Sequence, residues 1–337
     1  MPLPHDLQLR TILTAVLLIS LTLLSGACES ADGTEQSASY LKAVQQGSTP
    51  KFTFGIIYPL VHPFYESVTE GAELAAREAG GRILIKAPDE ANLEQQIRMI
   101  EDMIRQGVDG IAISPVDSLE LAPYIDKAIE AGIPVICFES DAPTSGRFSF
   151  IGGDNERAGA MIAQALQTIM GNEGMVLVGN GMPGMRSHEQ RLNGLIDYIR
   201  ESTNIQVLEV ARHDGSEEMA LGEIERMIDE HPHFDAFVSL DYVSGTSAIL
   251  AWKAMGLGRY ALTFGMMPAI EEALVNGQIS LAISQNEAIW GEEIVNALLA
   301  LMNGRTIPKA IYTGDRIIDA NSVPPFGALH GDGMSDT

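Results

Sequence analysis

Ser187 and His188 stand side by side, and a hydroxyl next to an imidazole has the makings of a nucleophile and its base. On a helix, however, adjacent residues point apart, so these two cannot form the core of a hydrolase triad. His231-Pro-His233 offers two imidazoles, but no cysteines or clustered carboxylates accompany them at metal-ligand spacing. Gly179-Asn-Gly-Met-Pro-Gly184 could cradle an anion at a helix start. It matches neither the dinucleotide fingerprint nor the phosphate loop, and a plain strand-to-helix turn explains it better. Cys137 lies in the apolar run Ile133–Phe138 and reads as a buried structural thiol. No set here calls for a metal, a cofactor or an enzyme, and the chemistry that remains is non-covalent binding.

The elements that must position such a site alternate regularly from Phe52 onward. Apolar runs at 52–57, 82–86, 110–114 and 134–138 read as strands, and the helical period places helices at 64–79, 89–105 and 119–131 between them. In the second of these helices Leu93, Ile97, Ile100 and Ile104 share one face, Asp89 suits the N-cap and Gly107 the C-terminal cap. A second series follows a linking strand at 148–151. Its strands fall at 175–178, 205–211, 236–239, 261–264 and 278–284, with a last strand at 311–318, and its helices at 154–170, 187–201, 217–230, 242–255, 268–276 and 287–303. Such alternation implies an α/β protein with two doubly wound parallel-sheet lobes. Ligands of doubly wound sheets sit beyond the carboxyl ends of the strands. The loops to watch are therefore 58–64, 138–141, 179–187, 240–242, 264–268 and 285–286, and a site between the lobes is a cleft.

The remainder of the chain sets the compartment. Of 337 residues, 21 are Lys or Arg and 45 are Asp or Glu, a net charge of −24 that repels nucleic acid. Residues 11–24 are uncharged and apolar, too short for a comfortable span and right for the core of a signal peptide. Ser25-Gly26-Ala27-Cys28 then resembles the lipobox of bacterial lipoproteins, which implies that residues 1–28 carry the signal and that diacylated Cys28 becomes the N-terminus. The competing reading is an ordinary signal peptide cut near Ala27. Residues 29–50, rich in Ser, Thr, Gly and Gln, read as a flexible tether to the membrane. With Cys28 acylated, Cys137 has no partner for a disulfide.

Four stretches, in this order and spacing, resemble the ribose-binding-protein branch of the type I periplasmic binding proteins, over roughly residues 51–323. They are Tyr58-Pro-Leu-Val-His-Pro-Phe-Tyr65, Gln95–Asp117 with its Gln106-Gly-Val-Asp-Gly segment, Ala131–Ile136 followed by Gly152-Gly-Asp-Asn155, and Glu189-Gln-Arg-Leu-Asn-Gly194. The resemblance implies a three-segment hinge, with crossovers near 148–153, 284–286 and 312–316. The first lobe would hold 51–152 and 286–314, and the second 153–285 and 315–330. It further implies an exported, lipid-anchored receptor that closes on a small sugar-like ligand and delivers it to an ABC importer. The alternative is a sensory co-receptor whose closed form docks on a histidine kinase or chemoreceptor. Repressors of the same fold carry an N-terminal helix-turn-helix where this chain has a signal.

By the same resemblance the ligand set is Phe64, Tyr65, Glu139, Glu189, Asp241, Phe264 and Gln285. Phe64 and Tyr65 would form a flat aromatic wall, and His62 stands where the family often has Asn. Glu139 takes the place of an Asp that accepts two sugar hydroxyls; the competing role is a salt bridge across the hinge. Gln285 would contact ligand in the closed state and little else. The pattern departs from the family where Glu189, or a neighbour if the loop differs by a residue, stands for an Arg, Leu240 for an Asn beside Asp241, and Gly265 for an Asp. Arg186 is expected beside Glu189, and Arg191 to point elsewhere. A cleft with two carboxylates and at most one guanidinium disfavours anions, so the expected ligand is neutral and polyhydroxylated or amine-bearing.

Overall fold

Strand runs buried on both faces need helices above and below them, and the computed structural model, which describes residues 49–323, arranges the chain in that way. The first sheet is built from β1 (Thr53–Ile57), β2 (Arg82–Lys86), β3 (Gly110–Ile113), β4 (Val135–Phe138) and β5 (Phe150–Gly152). Interleaved with them are α1 (Glu66–Glu78), α2 (Leu93–Gln106) and α3 (Ala122–Glu130). The second sheet contains β6 (Glu173–Gly179), β7 (Asn204–Ala211), β8 (Ala236–Ser239), β9 (Tyr260–Phe264) and β10 (Leu281–Ser284). Its helices are α4 (Asn155–Met170), α5 (Arg186–Ser202), α6 (Glu217–Glu230), α7 (Tyr242–Met255) and α8 (Pro268–Val275), while α9 (Trp290–Met302) returns to pack on α1. Two short strands close the description, β11 (Ala310–Tyr312) and β12 (Arg316–Ile318).

The strand orders are β2-β1-β3-β4-β5-β11 and β7-β6-β8-β9-β10-β12, the same winding twice. Every pairing is parallel except β10 with β12. Every residue of the central strands β3, β4 and β8 is buried, which explains why they are apolar apart from Ser239 at the end of β8. In each sheet the order reverses beside the first strand, so the crevice opens beyond the ends of β1 and β3 in one lobe and of β6 and β8 in the other.

The sequence expectations differ from the structure at several element ends, and three of these bear on the site. The helix expected from Asp89 begins at Leu93, because Asn92 supplies the cap: its side chain accepts from the Gln95 N–H. Gly107 closes that helix at φ +65°, as its position suggested. The segment expected as one strand at 311–318 is two. Gly314, at φ +87°, turns the chain so that β11 joins the first sheet and β12 the second. A helix expected from Phe64 starts with a 3-10 turn over Pro63–Tyr65, which keeps both aromatic residues at the mouth of the β1 loop.

The chain crosses between sheets three times, and the crossings are tied together. Thr313 Oγ1 donates to the Gln285 carbonyl at 2.6 Å and accepts from Trp290 Nε1 at 3.0 Å. Asn286, itself in the left-handed region at φ +59°, donates to the Thr313 carbonyl at 3.3 Å. Cys137 is a buried free thiol, and burial pushes its pKa up to about 12. Cys28 and the signal and tether segments lie outside the described residues. Among the described residues no helix is long and apolar enough to cross a membrane.

Candidate functional site

The last residue of β4 hands over to Glu139, which sits at φ +59°. A residue with a Cβ costs roughly 1–2 kcal/mol in that region, and such strain concentrates where a side chain must be aimed. The strain turns the Glu139 carboxylate into the seam between the lobes. Its Oε2 accepts from the Tyr65 hydroxyl at 2.5 Å and from Ser114 Oγ at 2.8 Å, while Oε1 is buried with no partner. Burial raises the Glu139 pKa above the usual carboxylate range, against the hydrogen bond from Tyr65.

The first lobe adds an aromatic wall. Tyr65 stacks on Tyr58 at 4.3 Å between ring centroids, and Phe64 stacks on Tyr242 of the second lobe at 4.5 Å with the rings 8° from parallel. Tyr65 has one proton and gives it to Glu139, so Tyr242 is the donor in the 2.8 Å bond between the two hydroxyls. That chain of hydroxyls ties α7 to the first lobe across the seam. Burial, with the Glu139 charge behind it, raises both phenols well above their ordinary pKa.

The second lobe is organised by Arg191, which turns into the seam instead of pointing elsewhere. Helix α5 starts at Arg186 and buries Ser187, His188, Arg191 and Leu195 on one stripe, leaving Arg186 exposed. Gly159 and Gly194 bring α4 and α5 together backbone to backbone, since a Cβ on either would fall on the carbonyl of Arg191 or of Glu156. This contact sets the rotation of α5. Arg191 then donates from Nε to Asn155 Oδ1 at 2.9 Å, from Nη1 to the Leu240 carbonyl at 2.9 Å and from Nη2 to Gln285 Oε1 at 2.7 Å. Its guanidinium lies 4.6 Å from the ring centre of Phe264. Phe264 is thus a platform under Arg191, and burial lowers the Arg191 pKa from its usual value.

Glu189 is not the desolvated carboxylate expected of it. Its side chain is 36% exposed, pairs with Arg212 at 3.1 Å and accepts from Asn180 Nδ2 at 3.2 Å. The reason is the helix face: the expectation centred the buried stripe on 189, whereas α5 centres it on 187, 188 and 191. Gln285 is also more engaged than expected. Besides accepting from Arg191, its amide donates to Asn155 Oδ1 at 3.2 Å and to Asp315 Oδ1 at 3.3 Å, so it is part of the hinge before any ligand is considered.

Asp241 is buried but already occupied. Its Oδ1 caps α7 by accepting from the Ser244 N–H at 2.8 Å and meets His213 Nε2 at 3.1 Å, and its Oδ2 accepts from Ser244 Oγ at 2.6 Å. Burial opposes the Asp241 charge, yet His213 beside it holds the pKa below the usual range. Burial likewise disfavours a charged His213, but the Asp241 carboxylate outweighs it and raises the His213 pKa. His62 and His188 have no such ion pair within hydrogen-bonding range, and burial lowers them to about 4 and about 3. Sequence reasoning had no signal for His213, which comes from the loop after β7.

Away from the seam, His231 lies with Glu209 and Glu230 within metal-ligand reach. Arg226 already neutralises both carboxylates, at 2.5 Å from Glu209 and 2.8 Å from Glu230, and His233 is not in the group.

The seam therefore joins an aromatic wall and one free carboxylate oxygen to a hydrogen-bonded guanidinium, with residues from both lobes and the hinge. Proteins of the same build are known. The ribose import binding protein of Bacillus subtilis is 22% identical over 304 residues, which span 90% of this chain and 97% of that one. The structure of an ABC transporter solute binding protein from Burkholderia graminis in complex with D-arabinose superposes with a TM-score of 0.77 at 27% identity, covering 81% of this chain and 96% of the other. A solute binding protein from Agrobacterium vitis bound with α-D-tagatopyranose gives 0.77 at 26% identity, covering 83% and 98%. The relatives are named as binding and transport proteins, not as enzymes. The periplasmic binding protein domain family matches residues 55–306, and the chain belongs to that family as a type I, ribose-binding-like member.

Proposed function

We propose that this protein is a lipid-anchored, extracytoplasmic receptor that captures a neutral, sugar-like molecule in the seam between its lobes and delivers it to an ABC importer. The observation that carries the reading is Glu139, a strained and buried residue whose Oε1 has no partner although its Oε2 is firmly held. A carboxylate oxygen in that setting is an acceptor for a hydroxyl. Phe64 and Tyr242 stack on each other across the seam, and once the lobes part those faces suit the C–H face of a sugar ring; structural relatives hold D-arabinose and tagatopyranose. Closure by hinge motion follows from contacts that form only when both lobes touch the ligand.

Charge supports a neutral ligand, though through different residues from those the sequence suggested. Glu139, Asp241, Glu287 and Asp315 all act electrostatically on Arg191, with Arg157 also acting on Asp315 and His213 beside Asp241, so carboxylates outnumber guanidinium groups around the seam. An anionic ligand would enter against that balance. Calorimetry of the full chain with a hexose, its amino sugar and its uronate tests the reading. Tightest binding is expected from one of the first two, and tightest binding by the uronate would overturn it. Presentation to a membrane sensor would use the same cleft, and co-purification with a permease or with a kinase separates the two. The anchor rests on Ser25-Gly26-Ala27-Cys28. Mass spectrometry of the mature N-terminus should find a diacylated Cys28, and an unmodified one would exclude anchoring there.

A further inference from the structure

Three histidines lie at the seam, and each is held in the same way. A backbone N–H donates to Nδ1: Phe64 N to His62 at 3.2 Å, Met182 N to His188 at 3.1 Å and Gly215 N to His213 at 3.0 Å. A ring nitrogen that accepts carries no proton, so each neutral imidazole bears its proton at Nε2. The far sides differ. His213 Nε2 meets Asp241 and Ser244, both at 3.1 Å. His188 Nε2 has no partner, although the residue is only 1% exposed.

Ser187 repeats the pattern. Its Oγ is buried without a partner, while its backbone N–H reaches across to Ser140 Oγ of the first lobe at 3.3 Å. Residues 187, 188 and 191 share the buried stripe of α5. That stripe therefore carries two unpaired polar groups next to Arg191, whose charge in turn acts on Glu139. The adjacency of Ser187 and His188 excludes a catalytic pair, but it leaves both free to meet a third molecule.

We propose that the first turn of α5 is a second polar subsite, in which His188 Nε2–H donates to an oxygen of the bound ligand and the Ser187 hydroxyl completes the contact. The proposal rests on the sugar-binding reading and narrows it. Glu139 Oε1 accepts only, so it needs a hydroxyl or ammonium proton. His188 Nε2–H donates only, so it needs an oxygen lone pair. A polyol or sugar supplies both on one small frame. A simple amine leaves His188 unpaired, and a simple carboxylate leaves Glu139 unpaired.

The test is calorimetry on the full chain with D-ribose, D-arabinose, D-allose and D-tagatose, followed by monodeoxy analogues of the tightest binder, for wild type, His188→Phe and His188→Gln. His188→Phe should bind the sugar about tenfold more weakly or worse, while His188→Gln, which keeps an N–H at similar reach, should stay within about threefold. One deoxy analogue should lose affinity for wild type but not for His188→Phe, the coupling expected of a direct contact. His188→Phe binding like wild type, or no analogue showing coupling, would overturn the subsite and leave the sugar reading intact. Both variants melting far below wild type without sugar would assign the ring to packing and also overturn it. If no sugar binds wild type, the sugar reading falls first and the subsite with it.

Discussion

On the first lobe the seam is faced by Phe64, Tyr65 and Glu139, which lean on one another through an edge-to-face aromatic contact and a short hydrogen bond and leave one carboxylate oxygen free. On the second it is faced by Arg191 and Asp241, whose polar atoms are largely taken up by Asn155, Gln285, the Leu240 carbonyl, Ser244 and His213. The strand order behind both faces is the same. What separates them is the origin of the functional residues. The first lobe draws them from loops directly after β1 and β4. The second draws its guanidinium from inside α5, a turn beyond the loop. Equivalent sheets can thus offer one side with a free carboxylate oxygen and another whose charged groups are held by their own network.

Removing the organiser of the second lobe should have the largest effect. Arg191→Ala leaves Asn155, Gln285 and the Leu240 carbonyl short of their donor and several carboxylates without a counter-charge. Chemical denaturation should show a loss of about 3–5 kcal/mol, with binding abolished. A variant as stable as wild type would mean that the network is not what holds this lobe. Gln285→Ala should cost less, about 1–3 kcal/mol of stability, because it strands hydrogen-bonding groups of Arg191 and Asn155. If its melting temperature is unchanged while affinity falls, Gln285 serves the ligand alone and the hinge role assigned to it is wrong.

The acid side of the stability profile separates the lobes in another way. His62 is buried in the folded protein with its pKa lowered to about 4. The unfolded chain takes up a proton from about pH 6.5 downward, whereas the folded chain does not until about pH 4, so this contribution is intact above pH 6.5 and is lost as pH falls. Compared with His62→Asn, wild type should lose on the order of 1–2 kcal/mol more between pH 7 and pH 5. Parallel profiles would show that His62 is not desolvated by Tyr242 and the seam. The smallest stability change is expected at the free carboxylate of the first lobe. Glu139→Gly relieves the left-handed backbone at the cost of two hydrogen bonds, for a net change within about 1 kcal/mol, while ligand affinity collapses. A strongly destabilised Glu139→Gly would make Glu139 a structural post instead.

Much of this could be read from residues alone. The alternation of apolar runs with helical periods is a local property, set by what a strand or helix must bury, and it marked out two series of parallel strands and the loops at their ends. The short-range signals that reported backbone conformation, such as Gly107 at a helix end, were equally legible. Glu139 and Gln285 stood out because they fall at strand ends where the family resemblance places ligand contacts. The departures have a common cause. Whether Arg191 or Glu189 faces the seam depends on the rotation of α5, which is set by the contact of Gly159 and Gly194 with the opposite helix and by a bond to Gln285, 94 residues away. The split of the last strand into β11 and β12 depends on two separate sheets competing for one segment. Side-chain type and period act over a few residues and are written into the sequence; the face a helix turns and the partner a buried charge finds are decided only when distant segments pack.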